Sequence, residues 1–382
     1  MMSRRQFLSA AAAGAGALLV APRMVLASVE SERRFVFIIQ RGAADGLHIV
    51  VPYAEPAYAA LRGPIAVDPS SATRLDGTFA LHPSLQRMAR FYAQGQAMFV
   101  HAVATPYRDR SHFDGQNVLE TGGNAPYSVR DGWLNRLVAL VGPSRAQAIA
   151  FAPTVPLALR GRLEVASYAP SALPSASEDL LMRVAALYER DAQLGPLWQS
   201  AMAARDMAGG ERARGDAAGI GKVAASFLAR PDGPRIAMIE TLGWDTHTGQ
   251  EPRLKTQLKA LDAMLGALCD GLGPVWDKTT VIVATEFGRT AAVNGTGGTD
   301  HGTGTAAMLA GGAVRGARVL ADWPGLRPAD LYQGRDLRPT LSLDDVIAGA
   351  ASETFGLDPH RTAAALFPQT KSAKPVTGLV SV

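Results

Sequence analysis

Apolar positions along the chain fall into short, nearly continuous runs, with stretches of helical periodicity between them. Residues 34–40 (RFVFIIQ) read as a buried strand that runs into a tight polar loop, Arg41-Gly-Ala-Ala-Asp-Gly46. Four further runs of this kind, 97–103, 235–240, 279–285 and 305–310, predict four more strands. Spacings of three and four predict helices over 83–95, where Leu85, Met88, Ala89 and Tyr92 share a face, and over 253–269, 113–120 and 343–355. Apolar strands alternating with helices predict a large α/β domain, a mostly parallel sheet with helices on both faces. Such sheets gather function in the loops beyond the C-terminal ends of the strands. The stretch from about 175 to 228 is rich in alanine, with Leu180, Leu181, Val184, Leu187 and Tyr188 at helical spacing, and reads as a helical insertion packed on the sheet. Residues 295–304 form a polar, glycine-rich loop.

The first 27 residues stand apart. Ser3-Arg4-Arg5-Gln6-Phe7-Leu8 resembles a twin-arginine export signal, followed by an Ala/Gly-rich apolar stretch and a cleavage-like Val25-Leu26-Ala27. The expectation is a leader over 1–27 and a single domain over 28–382, in a periplasmic or secreted protein. Retention of the leader as an uncleaved anchor is the alternative, and the only expected contact with a membrane. The formal charge of +4 includes three leader arginines and falls to about +1 without them, so nucleic acid is not expected as a partner. A composition 47% hydrophobic and 19% charged excludes a disordered chain. The single cysteine, Cys269, excludes an intramolecular disulfide.

Candidate chemistry lies where the apolar runs end. Asp45 and His48 follow the first, Arg108 to Gln116 the second, and Gly243-Trp-Asp-Thr-His247 the third. Glu286-Phe-Gly-Arg289 ends the fourth, and Gly298-Thr-Asp-His-Gly302 precedes the fifth. Of seven histidines, four lie in these segments within three residues of an Asp. Carboxylate with imidazole is the ligand mix of Zn, Mn or Fe. A single Asp–His pair is more often a turn residue beside a hydrogen-bonded histidine; the recurrence at four strand ends favours a shared metal site. Ser111, at a helix start, caps the helix or serves as a nucleophile, with Arg108 and Arg110 flanking it to bind an anion. Glycine motifs for nucleotides, the Gly-x-Ser-x-Gly elbow, and haem or iron–sulfur motifs are absent.

The segments Arg-Gly-Ala-Ala-Asp-Gly-Leu, Arg-Ser-His-Phe-Asp-Gly-Gln, Gly-Trp-Asp-Thr-His, Glu-Phe-Gly-Arg-Thr and Gly-Thr-Asp-His-Gly-Thr-Gly, with the leader, resemble the DUF1501 family. That resemblance implies an alkaline phosphatase-like and sulfatase-like fold. By it, Asp45 matches the first-strand ligand and Ser111 the nucleophile, at the head of a helix closing in Glu120-Thr121-Gly122. Asp245 and His247 match a later ligand segment, and His301 the final histidine. An Asp-His pair is expected at Glu286-Phe287, where Phe stands in place of the histidine. The formylglycine motif of type I sulfatases is absent. The combined expectation is an exported metal-dependent hydrolase of phosphate or sulfate esters, with a small anionic ester as substrate. One or two divalent ions, Zn or Mn, would be held by Asp45, Asp245, His247, Glu286, Asp300 and His301. Ser111 would attack or bind the ion through its oxygen. Arg110, and with it Arg108 and Arg289, would bind the anion, and His112 would donate a proton or act as a further ligand. The rival expectation is a non-catalytic, metal-stabilised binding or assembly protein with a cell-envelope partner.

Overall fold

The computed structural model describes residues 32–142, 148–169, 178–188, 216–370 and 373–381, with 191, 194–196, 198, 199 and 202. The leader, and the part of the 175–228 stretch between its two helices, lie largely outside the described residues.

The strands in chain order are β1 (Arg34–Gln40), β2 (Val50–Val51), β3 (Thr73–Arg74), β4 (Ala80–Leu81), β5 (Ala97–Ala104), β6 (Ala148–Phe151), β7 (Ala166–Ser167), β8 (Ile236–Thr241), β9 (Thr279–Ala284), β10 (Thr305–Ala310), β11 (Arg318–Leu320) and β12 (Leu341–Ser342). Among the described residues, nine of them form one sheet in the order β11-β5-β10-β9-β1-β8-β6-β7, with β12 also paired to β5. Strands β2, β4 and β3 make a small separate sheet. The main helices are α1 (Gln86–Ala93), α2 (His112–Thr121), α3 (Trp133–Val141), α4 (Glu178–Tyr188), α5 (Ala217–Leu228), α6 (Gln250–Leu272), α7 (Leu343–Phe355) and α8 (Pro359–Leu366).

All seven residues of β1 are buried, and its side chains alternate between two cores. Phe35, Phe37 and Ile39 face α3, α7 and α8, where the edge of Trp133 meets the Phe37 ring at 5.0 Å. Val36 and Ile38 face α1, α5 and α6. Two-sided burial is why this strand reads as a continuous apolar run. Helix α5 carries Val223, Ala224, Phe227 and Leu228 into the second core, so that end of the alanine-rich stretch is part of a packed layer. Among the described residues, no helix is long and apolar enough to cross a membrane.

One strand departs from the expected direction. β10 runs antiparallel to both β5 and β9, whereas the other pairings of the large sheet are parallel. A parallel partner needs a crossover back to the starting edge. The connection from β9 to β10 contains no helix, so the chain turns back along its neighbour. The N-terminal end of β10 therefore lies at the same sheet edge as the C-terminal ends of β1, β5, β8 and β9. The loop ending at Thr303 and Gly304 joins the others there.

Candidate metal centre

Four loops meet at this edge. Gly42, at φ +119, lets the loop after β1 lie against the loop after β8; a Cβ there would come 2.6 Å from the Asp245 amide nitrogen. Gly298 does the same for the glycine-rich loop, since a Cβ would come 2.2 Å from the His247 carbonyl oxygen. Arg289 is buried and ties these loops together. It donates to the carbonyls of Gly42 (2.5 Å), Ala43 (2.7 Å) and Thr299 (3.1 Å), and to Asp245 Oδ1 (2.5 Å).

The result is a convergence of side chains. His112, Asp245 and His301 each bring one donor atom within 4.8 Å of the other two. His112 Nε2 lies 3.5 Å from Asp245 Oδ2, and His301 Nε2 lies 3.6 Å from Oδ1. His247 joins two of the three, with Nε2 3.1 Å from Asp245 Oδ1 and 2.9 Å from His301 Nε2.

The opposite nitrogen of each imidazole meets an acceptor. His112 Nδ1 donates to Glu286 Oε1 (2.8 Å), His247 Nδ1 to Asp300 Oδ1 (3.2 Å), and His301 Nδ1 to the Arg110 carbonyl (2.8 Å). Carboxylates and carbonyls only accept, so in each neutral ring the Nε2 lone pair faces inward. The Nε2 atoms of His247 and His301 thus set two lone pairs 2.9 Å apart, and the buried Nε2 of His112 has no hydrogen-bond partner. A metal ion between the rings, or a proton on one of them, would satisfy such an arrangement.

The ionisable groups are poised accordingly. Burial works against ionised Glu286, but donors from His112, Gln116 and the Gly42 amide hold its carboxyl below the usual range. Burial also opposes ionised Asp245, and the Arg289 guanidinium carries it downward. Burial, with His112 and Arg289 nearby, pushes His301 down. Three imidazoles and a carboxylate are a donor set for Zn, Mn or Fe. Ligand atoms around a tetrahedral ion at about 2.0–2.1 Å stand roughly 3.3 Å apart. The separations of 2.9 to 3.6 Å, taken over both oxygens of Asp245, are of that order, and His112, Asp245 and His301 bring donor atoms within 4.8 Å of one another, so these residues fit such an ion.

The expected site residues divide into three groups. Asp245, His247 and His301 lie in the cluster, together with His112. Glu286 and Asp300 orient histidines from behind, and Glu286 is fully buried. Asp45 is not in the cluster. It forms a buried, two-pronged ion pair with Arg62 (2.5 and 3.0 Å) and accepts from Gln250 Nε2 (2.7 Å). Phe287 stacks on the His112 ring at 5.0 Å and borders His301.

The arginines expected to bind an anion are also engaged. Arg110 pairs with Asp336 (2.7 Å) and donates to Gln333 (2.6 Å). It sits at φ +62, and this left-handed turn aims its carbonyl at His301. Arg108 donates to the carbonyls of Thr105 and Tyr107. Ser111 is the residue before α2, and its side chain makes no capping bond to that helix; its amide donates to the Tyr107 hydroxyl (3.0 Å). Sequence reasoning missed Asp336 and Arg62, and gave Gln116, the last residue of the Arg-Ser-His-Phe-Asp-Gly-Gln segment, no role. No local motif marks Asp336 or Arg62, because each acts on a residue far away along the chain.

The chain resembles several solved structures at low identity. One is the C-terminal periplasmic domain of EcEptC from Escherichia coli, solved in complex with Zn: 11% identity, 92% of this chain and 93% of that one, TM-score 0.41. Another is BT1596, a 2-O GAG sulfatase: 12% identity, 90% and 76%, TM-score 0.39. A third is the alkaline phosphatase from the Antarctic bacterium TAB5: 10% identity, 89% and 100%, TM-score 0.36. No curated protein sequence matches the chain. The model of the DUF1501 family, whose description is "Protein of unknown function", matches residues 32–366, and the chain belongs to that family.

Proposed function

We propose that this protein is an exported hydrolase of phosphate or sulfate esters that works with a single divalent ion, Zn or Mn. The observation that carries the reading is the convergence of three oriented imidazoles on Asp245. His112, Asp245, His247 and His301 would hold the ion, which would act as a Lewis acid on an ester oxygen. Glu286, Asp300 and the Arg110 carbonyl fix the three rings with their Nε2 lone pairs inward, the arrangement by which outer partners tune metal ligands. Ser111 precedes His112, and its hydroxyl, which makes no capping bond and lies beside the Tyr107 hydroxyl, would be the attacking oxygen. His112 holds rather than protonates in this scheme, because its one proton is committed to Glu286. A single ion follows from Asp45 and Phe287. The first is neutralised by Arg62 and the second is a ring without a donor atom.

The test is metal per chain on protein exported through its own leader and purified without chelator, followed by a screen of phosphate and sulfate esters. About one ion is expected, lost in Asp245→Asn and in His301→Ala. Ser111→Ala should keep the ion and lose turnover. An ion-free wild type, correctly folded, would overturn the reading.

One observation favours a second reading. Arg108, Arg110 and Arg289 are all committed to protein atoms and do not face the cluster as free cations. A non-catalytic envelope binding or assembly protein, stabilised by its ion, needs no anion clamp. It predicts a bound ion with no turnover of any ester.

A further inference from the structure

Arg110 holds a strained backbone conformation beside the histidine cluster. It lies outside any helix or strand, at φ +62, where a residue with a Cβ stays only when its surroundings impose it. Its carbonyl accepts from His301 Nδ1 (2.8 Å) and so decides which way the His301 ring turns. A right-handed φ at this position would swing the carbonyl away from the ring. The side chain supplies the hold. The guanidinium donates through Nε to Asp336 Oδ2 (2.8 Å), and its Nη2 lies 2.7 Å from the same oxygen. Gln333 Oε1 accepts a further bond from Nη2 (2.6 Å).

Asp336 is itself fixed. It is fully buried, its amide donates to the Tyr332 carbonyl (3.1 Å), and its carbonyl accepts from the Tyr332 amide (2.8 Å). Its backbone also bridges to Thr290, next to Arg289. A carboxylate held in this way takes a guanidinium at a set distance and direction. The neighbouring residues grip the glycine-rich loop. Arg335 Nη2 donates to the His301 carbonyl (2.9 Å), and the Leu337 carbonyl accepts from the Gly304 amide (3.0 Å). Residues 332–337 therefore hold both His301 and the carbonyl that its ring bonds to, although none of their side chains belongs to the cluster.

We infer that Asp336 is a positioning residue of the metal centre. Its ion pair keeps Arg110 left-handed, which keeps the Arg110 carbonyl on His301 Nδ1 and His301 Nε2 turned toward the ion. The inference rests on the reading of the cluster as a metal centre and does not depend on any ester being hydrolysed. It gives Arg110 a main-chain role, in place of the anion contact expected from the sequence.

The test is titration of the full-length, chelator-stripped protein with cobalt(II), a stand-in for zinc whose visible absorption reports the geometry of its ligands. Asp336→Ala should bind the ion roughly 10- to 100-fold more weakly than wild type, as for other outer partners of metal ligands, and should shift the absorption. Adding Arg110→Gly to that variant should restore both, because glycine takes the left-handed conformation without an anchor. A role in stability alone predicts no such rescue, since the double variant still lacks the ion pair. If Asp336→Ala does not fold, Arg110→Ala and Arg110→Gly put the same question. Both remove the pair, and Arg110→Ala should bind the ion about tenfold more weakly than Arg110→Gly, the penalty of a left-handed residue with a Cβ. Three results would overturn the inference and leave the metal centre standing: unchanged affinity and absorption in Asp336→Ala, a loss that Arg110→Gly does not restore, or equal affinities in the two Arg110 variants. A wild type that binds no cobalt would overturn the metal-centre reading itself, and the inference with it.

Discussion

His112 and Asp45 show how one residue type takes its role from a single distant partner. The Nδ1 of His112 is spent on Glu286, from the end of a strand across the sheet, and this turns its other nitrogen toward Asp245. Glu286→Gln keeps the shape and removes the charge. The affinity for the ion should fall roughly 10- to 100-fold, as for other outer partners of metal-binding histidines, in a competition titration against a chelating dye. An unchanged affinity would show that the Glu286 contact does not matter to the centre. Asp45 is the opposite case. Its position after the first strand invites assignment as a ligand, yet its carboxylate is held below the usual range by Arg62, whose charge and hydrogen bonds outweigh burial. Asp45→Asn leaves a buried guanidinium without its counter-charge. Denaturant unfolding should show a loss of about 3–5 kcal/mol, with ion content per folded chain unchanged. A loss of the ion at intact stability would restore Asp45 as a ligand. The Asp–His spacings were legible because both members are local. The Asp45–Arg62 pair was not, since nothing near Arg62 marks it as the partner of a strand-end acid.

Among the elements, the strand runs were the clearest part of the sequence. β10 was expected at 305–310 and is found there, as are α7 and, to within a turn, α6. The direction of β10 was not legible, because an apolar run has the same composition in either sense. What distinguishes the two is the connection. The chain between β9 and β10 is rich in glycine and has no helical period, which suits a loop that stays at one edge. β6 escaped notice because a run of only four apolar residues, two of them alanine, does not stand out from its surroundings. The close approach of loops at Gly42 supplies an element-scale prediction. Gly42→Ala adds a Cβ at a left-handed φ and drives it into the Asp245 segment. A cost of at least about 1–3 kcal/mol is expected from the backbone alone. Ion affinity should fall with it, as the two loops separate. Retained stability and affinity would mean the loops do not depend on that contact.

Over the whole molecule, two cores press on one sheet, and the helix-covered side beyond β5 hides an acid. Asp344, in the first turn of α7, is 3% exposed. Burial, reinforced by Asp345 and opposed by Arg108, pushes its carboxyl up to about 7. The unfolded value is near 4, so the native state holds this proton more tightly than the unfolded chain does. The stability it contributes is therefore complete below about pH 4 and is lost as pH rises through 7, a swing on the order of 3–4 kcal/mol. Asp344→Asn should flatten that slope: the variant should unfold at higher denaturant than wild type at pH 8 and at a similar concentration at about pH 4. Parallel profiles for the two proteins would show that Asp344 titrates normally.

The four side chains of the histidine cluster are spread from position 112 to position 301, and they come together only when four loops of one sheet are in place. No short peptide of this chain contains the set. An ion held there is released on unfolding, so free ion at a hundred times its dissociation constant adds about 2.7 kcal/mol to the native state. The melting temperature then becomes a gauge of the ion concentration in the surrounding compartment. A chain emptied of its ion and one filled with it would differ in lifetime as much as in chemistry.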